Sequence, residues 1–339
     1  MWIDLSRATQ IGKMIVERGT TGRGYIDVMK TPTRMIQIPI VVVSGAREGP
    51  TLCLIAGDYG RDYNGFVAIS DLLQGLQPNS LAGKLIAVPF VNLPALEDKA
   101  DFSIIDVRSP NLNRCFPGDP KGSPNARLVH VLFTEVISKC DFFILLEAGG
   151  GTEHHLGNVS YTIVGDPRID SLSEEMARHF VTADFLYRRP IDPRTNPPTN
   201  FVTGVASKGI PAIITDLGGE SAEIDNAAVT RFKEGVLNIM KYLKMIDGEA
   251  RRTEQKELLE RSRIQVGHSG IFRPRVNAGD LVSENQVLGE VLDVQGNILE
   301  ILRSPIRGIV QIVLCTGPMH RMLPTVNQGS NVIDVTTFK

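Results

Sequence analysis

The order of apolar and polar stretches along the chain predicts an α/β domain. Three short apolar runs, at residues 52–56, 84–91 and 141–146, are largely continuous rather than alternating, which is typical of strands buried on both faces of a sheet. A fourth run leads from Pro211 to Asp216. Helices are predicted between these runs, one of them beginning with a serine N-cap and a proline at residues 123–124. This order predicts a central sheet flanked by helices.

The two ends of the chain show a different pattern. Residues 1–50 contain short β segments, and residues 248–265 are so dense in charge that they predict a solvated linker. In residues 266–339 the pattern changes to short β segments, and a V-N-x-G-x-x-V motif occurs twice, at residues 276–282 and 326–332. We therefore predict an α/β domain over residues 1–247 and a small all-β domain after the linker.

Polar side chains follow several of the predicted strands. Asp58, Tyr59 and Asp62 follow the first buried run, Glu147 ends the third, and Asp216 ends the fourth. Open α/β sheets place their sites at the carboxyl ends of strands, so these residues are candidates for chemistry. The alternative is a set of solvated polar loops, and for the first loop taken alone this alternative is favoured.

Two further groups could contribute to a site. Arg108 and Arg114 lie in one proline-rich loop and could hold a carboxylate bidentately, although surface arginines are an equally open interpretation. Glu153, His154 and His155 follow the glycines after the third strand. The two histidines are only reserve candidates for metal ligands, because adjacent side chains point in different directions on most backbones.

The composition indicates which binding partners and which cellular compartment to expect for this protein. The 339 residues carry a net charge of −2 with a sequence pI of about 6.3, which indicates neither nucleic acid nor an anionic membrane as a partner. No apolar run reaches the roughly 18 residues of a membrane span, and no signal peptide is evident. Four scattered cysteines without a C-x-x-C motif suit a reducing cytoplasm. The sequence therefore predicts a cytoplasmic protein with a small-molecule partner.

Taken together, these segments resemble the succinylglutamate desuccinylase/aspartoacylase family of zinc carboxypeptidase-like deacylases. The most specific piece, residues 111–118, reads N-L-N-R-C-F-P-G and is similar to the family's N-R-x-F-P-G substrate-binding signature. The resemblance implies substrate-binding roles for Arg108, Asn113 and Arg114. It also implies a carboxypeptidase-like mixed sheet, a C-terminal lipoyl/biotinyl-like barrel, and a homo-oligomer as one open expectation. The predicted hairpin tip of that barrel, residues 293–297, has no lysine, so we expect it to be structural.

The sequence differs from the family at the positions of the zinc ligands and of the catalytic residue. The family's H-x-x-E zinc pair falls on Tyr59 and Asp62, its second zinc histidine falls on Glu147, and its catalytic glutamate falls on Asp216. Zinc prefers histidine and cysteine, whereas a set that offers only oxygen favours Mg²⁺, Mn²⁺ or Ca²⁺. Several carboxylates without a cation repel one another, so a hard metal, an amine-bearing ligand or the two arginines should neutralise them.

Three functions are compatible with these residues. The first is a deacylase that hydrolyses the amide of a small N-acyl amino acid-like substrate, with an altered metal site and Asp216 as general base. The second is a catalytically degenerate homologue that binds a small molecule or acts as a partner subunit, with no metal bound. The third is an enzyme of another class that reuses the acidic pocket, for which the sequence shows no motif.

Overall fold

The computed structural model describes residues 8–109, 111–149, 153–194, 196–218, 224–314 and 324–339. The helices are α1 (Tyr63–Gly75), α2 (Leu93–Asp98), α3 (Pro124–Glu135), α4 (Pro167–His179), α5 (Phe201–Ser207) and α6 (Asn226–Tyr242). The strands are β1 (Ala8–Ile11), β2 (Met14–Glu17), β3 (Thr21–Lys30), β4 (Met35–Ser44), β5 (Arg47–Ala56), β6 (Ala82–Val88), β7 (Phe142–Glu147), β8 (Glu153–His155), β9 (Asn158–Ile163), β10 (Phe185–Pro190), β11 (Ala212–Asp216), β12 (Lys256–Gln265), β13 (Gly270–Pro274), β14 (Leu281–Val282), β15 (Val287–Leu292), β16 (Ile298–Arg303), β17 (Gly308–Leu314), β18 (Thr325–Val326) and β19 (Asn331–Phe338).

A thirteen-stranded mixed sheet runs through most of the described chain, in the order β14-β17-β19-β12-β10-β9-β11-β7-β5-β6-β4-β3, with β8 paired to β17. At its centre, β6, β5, β7 and β11 are parallel, and β9 is antiparallel to β11. The continuous apolar runs of the sequence form these central strands because both of their faces are covered. The mixed α/β architecture predicted from the sequence is thus confirmed.

Helices cover both faces of the central sheet. On one face, α1, α4 and α6 bury side chains such as Ile69, Met176 and Phe232 against the strands. On the other face, α3 and α5 contribute side chains that include Leu132 and Phe201. The sheet therefore lies in the middle layer of a three-layer domain. Over the described ranges, no helix has both the length and the apolar character that crossing a membrane requires.

The helix start predicted at Ser123 and Pro124 is confirmed. The Ser123 side chain accepts a hydrogen bond from the Ala126 backbone N–H, and Pro124 occupies the first position of α3. The Asp225 carboxylate accepts from the backbone N–H groups of Ala227 and Ala228 at the start of α6. These caps fix where two of the flanking helices begin.

The charge-dense stretch near residue 256 is a strand, which corrects the predicted linker over residues 248–265. Within it, Lys256–Gln265 forms β12, which pairs parallel with β10 and antiparallel with β19. Leu258 and Ile264 are buried, and charged side chains between them find partners, such as Asp334 at 3.1 Å from Arg261. Because β12 belongs to the sheet, the sheet passes into the C-terminal unit without a break.

The C-terminal unit contains a second sheet, in the order β16-β15-β13-β18. Both copies of the V-N-x-G-x-x-V motif form turns, and their glycines, Gly279 and Gly329, have φ values of +96° and +84°. The backbone N–H groups of Asn277 and Asn327 donate to side-chain oxygens three residues later. The predicted hairpin tip, residues 293–297, lies between β15 and β16. The repeat seen in the sequence is therefore a repeat of local structure.

Replacing Leu54 by alanine should destabilise the fold strongly. Leu54 is fully buried in β5 at the centre of the sheet, so truncation should lower the free energy of unfolding by about 2–5 kcal/mol. Urea denaturation followed by circular dichroism measures this change. Leu281→Ala is the matched control, because Leu281 is 69% exposed and should change the same quantity by less than about 0.5 kcal/mol. Equal losses in the two variants would contradict the position assigned to β5.

Candidate functional site

Three adjacent strand ends form the candidate site. β5, β7 and β11 are parallel neighbours, and their carboxyl ends lie at one edge of the sheet. In the register of β7 and β11, Asp216 pairs directly with Glu147, and Asp216 also pairs with Asn158 of β9. The strand ends that the sequence predicted to meet therefore do meet, since parallel neighbours end on the same side.

The loop after β5 is a tight turn that is held at this edge of the sheet by hydrogen bonds from Asn92. Gly57 has φ of +68°, and the backbone N–H of Asn92 donates to its carbonyl at 2.9 Å. The Asn92 side-chain amide donates to the Asp58 carbonyl at 2.9 Å. A Cβ at Gly60 would come within 2.2 Å of the Ala100 carbonyl oxygen, so only glycine fits there. These contacts fix where the acids that follow β5 lie.

Asn113 and Arg114, from the N-L-N-R-C-F-P-G segment, lie beside the carboxyl ends of these strands. Asn113 accepts a hydrogen bond from the Phe201 backbone N–H at 2.8 Å, and its amide donates to Oε1 of Glu147 at 3.4 Å. The Arg114 guanidinium donates to the Asn113 carbonyl at 2.6 Å. The two motif residues are therefore held by the start of α5 on one side and by the end of β7 on the other.

A cavity of about 480 Å³ lies above the strand ends. Five of the residues predicted for the site line it: Tyr59, Asn113, Arg114, Glu147 and Asp216. Asp62 does not line the cavity. It is fully buried beneath it, where its carboxylate accepts a hydrogen bond from the Ala148 backbone N–H at 3.3 Å.

Three buried carboxyl groups lie close together at this edge of the sheet: Glu147 lines the cavity, whereas Asp58 and Asp62 do not. Asp58 and Asp62 are 1% and 0% exposed, and Glu147 is 8% exposed. Burial raises the pKa of Asp58 to about 6, and Asp58 and Glu147 are close enough for their carboxyl groups to share a proton. Burial, and then the neighbouring Asp58, raise the pKa values of Asp62 and Glu147 well above their usual range. Asp58 thus makes ionisation of Asp62 and of Glu147 harder.

His155 is the positive group nearest to Asp216 and Glu153. Its imidazole lies 3.5 Å from the Asp216 carboxylate and 2.9 Å from the Glu153 carboxylate. Burial opposes the charge of His155, but the hydrogen bonds and charges of these two acids outweigh it and raise the pKa of His155 to about 10. His155 is therefore protonated at neutral pH, and although burial acts in the opposite direction, its hydrogen bond and charge hold the pKa of Glu153 below the usual range.

The residues at the family's zinc positions do not fit zinc. The Tyr59 hydroxyl accepts a hydrogen bond from the Asn111 amide at 3.3 Å, and burial raises its pKa well above the usual range, so it stays protonated. Asp62 has one oxygen engaged by a backbone N–H and lies below the cavity. Among the residues that the structure describes, no three His, Cys, Asp or Glu side chains are grouped to hold a metal ion. Tyr59, Asp62 and Glu147 are thus a poor match to the tetrahedral donor set of zinc.

The structure does not bring Arg108 to the cavity. Arg108 is exposed, while its neighbours Asp106 and Ser109 are tied to the start of α3 through Asn125, with hydrogen bonds of 2.7–3.0 Å. Of the two loop arginines, only Arg114 lines the cavity. Of the adjacent histidines, only His155 lines the cavity, because β8 pairs with β17 and directs alternate side chains to opposite faces.

The far wall of the cavity comes from strands that the sequence did not single out. Arg189 of β10 and Arg261 and Arg263 of β12 line it, together with Asn331 and Asp334 of β19. Burial, and then the nearby Arg261, lower the pKa of Arg189. The high charge density of this segment indicated a linker, and its few apolar residues, Leu258, Leu259 and Ile264, do not alternate with the charged ones.

Comparison with known proteins identifies a matching family and a related enzyme. The sequence profile of the succinylglutamate desuccinylase/aspartoacylase catalytic domain matches residues 48–243. The N-alpha-acetyl-L-2,4-diaminobutyric acid deacetylase of Halomonas elongata is 27% identical over 265 residues, which cover 76% of this chain and 75% of the relative.

Solved structures show the same fold over nearly the whole chain. The product-bound ectoine utilization protein EutE (DoeB) from Ruegeria pomeroyi superposes with a TM-score of 0.84 at 20% identity, covering 98% of this chain and 99% of that chain. A succinylglutamate desuccinylase/aspartoacylase structure from Rhodobacter sphaeroides has a TM-score of 0.81 at 25% identity, covering 94% and 95%. Because the catalytic-domain profile spans more than half of its 339 residues, this chain belongs to the succinylglutamate desuccinylase/aspartoacylase family of deacylases.

Proposed function

We propose that the cavity binds a small N-acyl amino acid-like molecule through its carboxylate. The observation that carries this proposal is the position of Arg114. Its guanidinium lines the cavity and donates to the Asn113 carbonyl, and among the described residues no carboxylate forms an ion pair with it. A guanidinium with free donors at a cavity wall is suited to a planar carboxylate.

The ligand class is supported by the family as well as by the cavity. The Halomonas elongata relative is named as a deacetylase of N-alpha-acetyl-L-2,4-diaminobutyric acid, which is an N-acyl amino acid. A cavity of about 480 Å³ has room for a molecule of that size. Asn113, fixed by the Phe201 backbone N–H, lies beside Arg114 and can orient the same ligand.

Binding without zinc-assisted turnover is the function that the site supports best. A zinc deacylase needs three ligands and an open position for an activated water, and the side chains of Tyr59, Asp62 and Glu147 do not supply such a set. Glu147 also shares its environment with Asp58, which disfavours two adjacent negative charges. The degenerate-homologue hypothesis is therefore the primary proposal.

Hydrolysis of the bound amide is the second candidate, and one observation favours it. Asp216 keeps a carboxylate at the family's catalytic position, at the cavity wall and 3.5 Å from a protonated His155. In this reaction Asp216 would take a proton from water as its oxygen attacks the amide carbonyl. The proton would then pass to the amine as the C–N bond breaks, giving a carboxylate and an amine.

For the C-terminal unit we propose a structural role in a lipoyl/biotinyl-like arrangement. Its hairpin tip, residues 293–297, offers no lysine for a carried group. Its strands β12, β17 and β19 contribute Arg261, Gln311 and Asp334 to the cavity wall, so the unit also helps to shape the binding site.

Replacing Arg114 by alanine should weaken binding of N-acetyl amino acids. A hydrogen bond that involves a charged group contributes about 1.5–3 kcal/mol, so the Kd should rise by about ten- to a hundredfold. Isothermal titration calorimetry with a panel of N-acetyl amino acids measures this change. The corresponding carboxamides should bind wild type weakly, because they lack the charge that Arg114 recognises.

Arg108→Ala is the matched control for this experiment. Arg108 lies in the same loop but is exposed and away from the cavity, so its removal should leave the Kd within about twofold of wild type. An equal loss of affinity in both variants would show that the loop as a whole, and not Arg114, binds the ligand.

The substitution Asp216→Asn tests whether the protein only binds its ligand or also hydrolyses it. If the protein hydrolyses its ligand after treatment with a chelator, the substitution should lower the rate of acetate release by about 10²–10⁴-fold, the usual contribution of a general base. Asp71→Asn is the control, since Asp71 is exposed on α1. The primary proposal expects no acetate release from wild type, with or without added Zn²⁺. A rate that Asp216→Asn leaves unchanged would contradict the second candidate.

A further inference from the structure

The far wall of the cavity carries more positive than negative charge. Four charged residues line this wall: Arg189, Arg261, Arg263 and Asp334. Asp334 is buried and forms an ion pair with Arg261 at 3.1 Å. In the described part of the chain, no carboxylate forms an ion pair with Arg189 or Arg263. Because the wall holds three arginines and one acid, it has an excess of two positive charges.

Arg189 and Arg261 have donor groups that the rest of the chain leaves unused. Among the described residues, the Arg189 guanidinium donates to one acceptor, Oδ1 of Asn196 at 3.3 Å, although a guanidinium has five N–H donors. On Arg261, Nε has no contact with solvent and no hydrogen-bond partner in the described ranges. Burial, and then the charge of Arg261, lower the pKa of Arg189, so an anion beside Arg189 would stabilise its charged form.

Titration does not remove this excess charge. An arginine stays protonated at neutral pH, and Arg189 is only partly exposed, so water compensates its charge incompletely. Two acids across the cavity, Asp216 and Glu153, already lie against His155, at 3.5 Å and 2.9 Å. An anion that enters the cavity would therefore find the charge of Arg189 without a competing carboxylate.

Neighbouring side chains hold the two arginines in place. Asn196 is buried, and its amide donates to the Pro190 carbonyl at 3.1 Å, so it ties the Arg189 guanidinium to the end of β10. The guanidinium carbons of Arg189 and Arg261 lie 6.0 Å and 4.9 Å from the centre of the Tyr187 ring. Such contacts stabilise a guanidinium through the quadrupole of the ring. Both arginines thus lie around one ring that also lines the cavity.

This part of the cavity is distinct from the strand ends that carry the acids. Arg189 lies opposite Thr162 of β9, whereas Asp216 lies opposite Asn158, at the other end of the same strand. At about 3.3 Å per residue and about 4.8 Å per strand, the Cα atoms of Arg189 and Asp216 are roughly 15 Å apart. A cavity of about 480 Å³ can therefore hold an anion at the far wall as well as a small molecule at Arg114.

We propose that Arg189 and Arg261 form a second anion site in the far wall of the cavity, which binds an oxoanion, a carboxylate or a phosphate group, through the free donors of the two guanidinium groups. The oxoanion is either the far end of the molecule held at Arg114 or a separate small ion. The site goes beyond the proposed function, because its residues belong to β10 and β12 and bind a free oxoanion whether or not an N-acyl amino acid binds at Arg114.

The first test titrates inorganic phosphate into the Arg114→Ala protein and into wild type by isothermal titration calorimetry at low ionic strength. The substitution removes the other arginine that could bind an anion, while the far wall stays native. We expect saturable binding of about one phosphate per chain in both proteins, and weaker binding as salt is added, because salt screens charges that are partly exposed. Absence of saturable phosphate binding to both proteins, or its loss in Arg114→Ala, would overturn the site.

Arg189→Gln should raise the Kd for phosphate by about tenfold or more, because hydrogen bonds that involve a charged group are strong. Arg188→Gln is the matched control. It removes the same charge from the next residue of β10, whose exposed guanidinium donates to the Tyr161 hydroxyl at 3.0 Å, and it should leave the Kd within about twofold of wild type. Equal losses in the two variants would show a general effect of charge and overturn the site. Thermal melts check folding, and Arg189→Lys, which keeps the charge but not the planar fork, replaces Arg189→Gln if that variant does not fold.

Paired ligands identify the source of the oxoanion. N-acyl amino acids whose acyl chain ends in a carboxylate are compared on wild type with those of equal length that end in a carboxamide. Tighter binding of the carboxylates by about tenfold, lost in Arg189→Gln, supports the site as the place of the ligand's far end. Equal binding of the pair, with phosphate and an N-acetyl amino acid bound at the same time, supports it as the place of a separate ion.

The outcomes separate this site from the proposed function. If N-acyl amino acids bind through Arg114 but phosphate does not bind, the second anion site is overturned and the proposed function stands. If phosphate binds through Arg189 but no N-acyl amino acid binds, the second anion site stands and the proposed function is overturned.

Discussion

Burial of acidic side chains at the ends of β5 and β7 is the constraint on which the rest of the site depends. Asp58 and Asp62 have almost no contact with solvent, and Glu147 has little. In a medium of low dielectric, neighbouring negative charges raise one another's free energy, so each acid must be protonated, paired or matched by a ligand. Here protonation meets part of this requirement, because burial raises the pKa values of all three acids.

The frame that holds these acids is built from backbone contacts that do not depend on a metal. The loop after β5 is fixed by Asn92 and by two close approaches at Gly57 and Gly60. The register between β7 and β11 places Asp216 directly opposite Glu147. Side chains at these positions can therefore differ without any change in strand pairing.

The C-terminal unit is part of the site because the sheet is continuous. β12 joins β10 to β19, and β17 pairs with β8, so the cavity wall opposite the acids is built from strands far apart in sequence. This wall carries Arg189 and Arg261, and β8 carries His155. The cavity consequently has an acidic floor and a basic wall, an arrangement that favours ligands with both signs of charge.

The sequence by itself determined the central strands, the capped start of α3, the turn repeat and the residues at the ends of β5, β7 and β11. Burial on both faces, capping and turn formation act over a few residues, so they leave a local pattern. Only the tertiary structure decided that Lys256–Gln265 is a strand, that Arg114 and not Arg108 reaches the cavity, and that His155 lies against Asp216. Those outcomes depend on which distant strands pair and on which face each side chain then lies, and no local pattern records either.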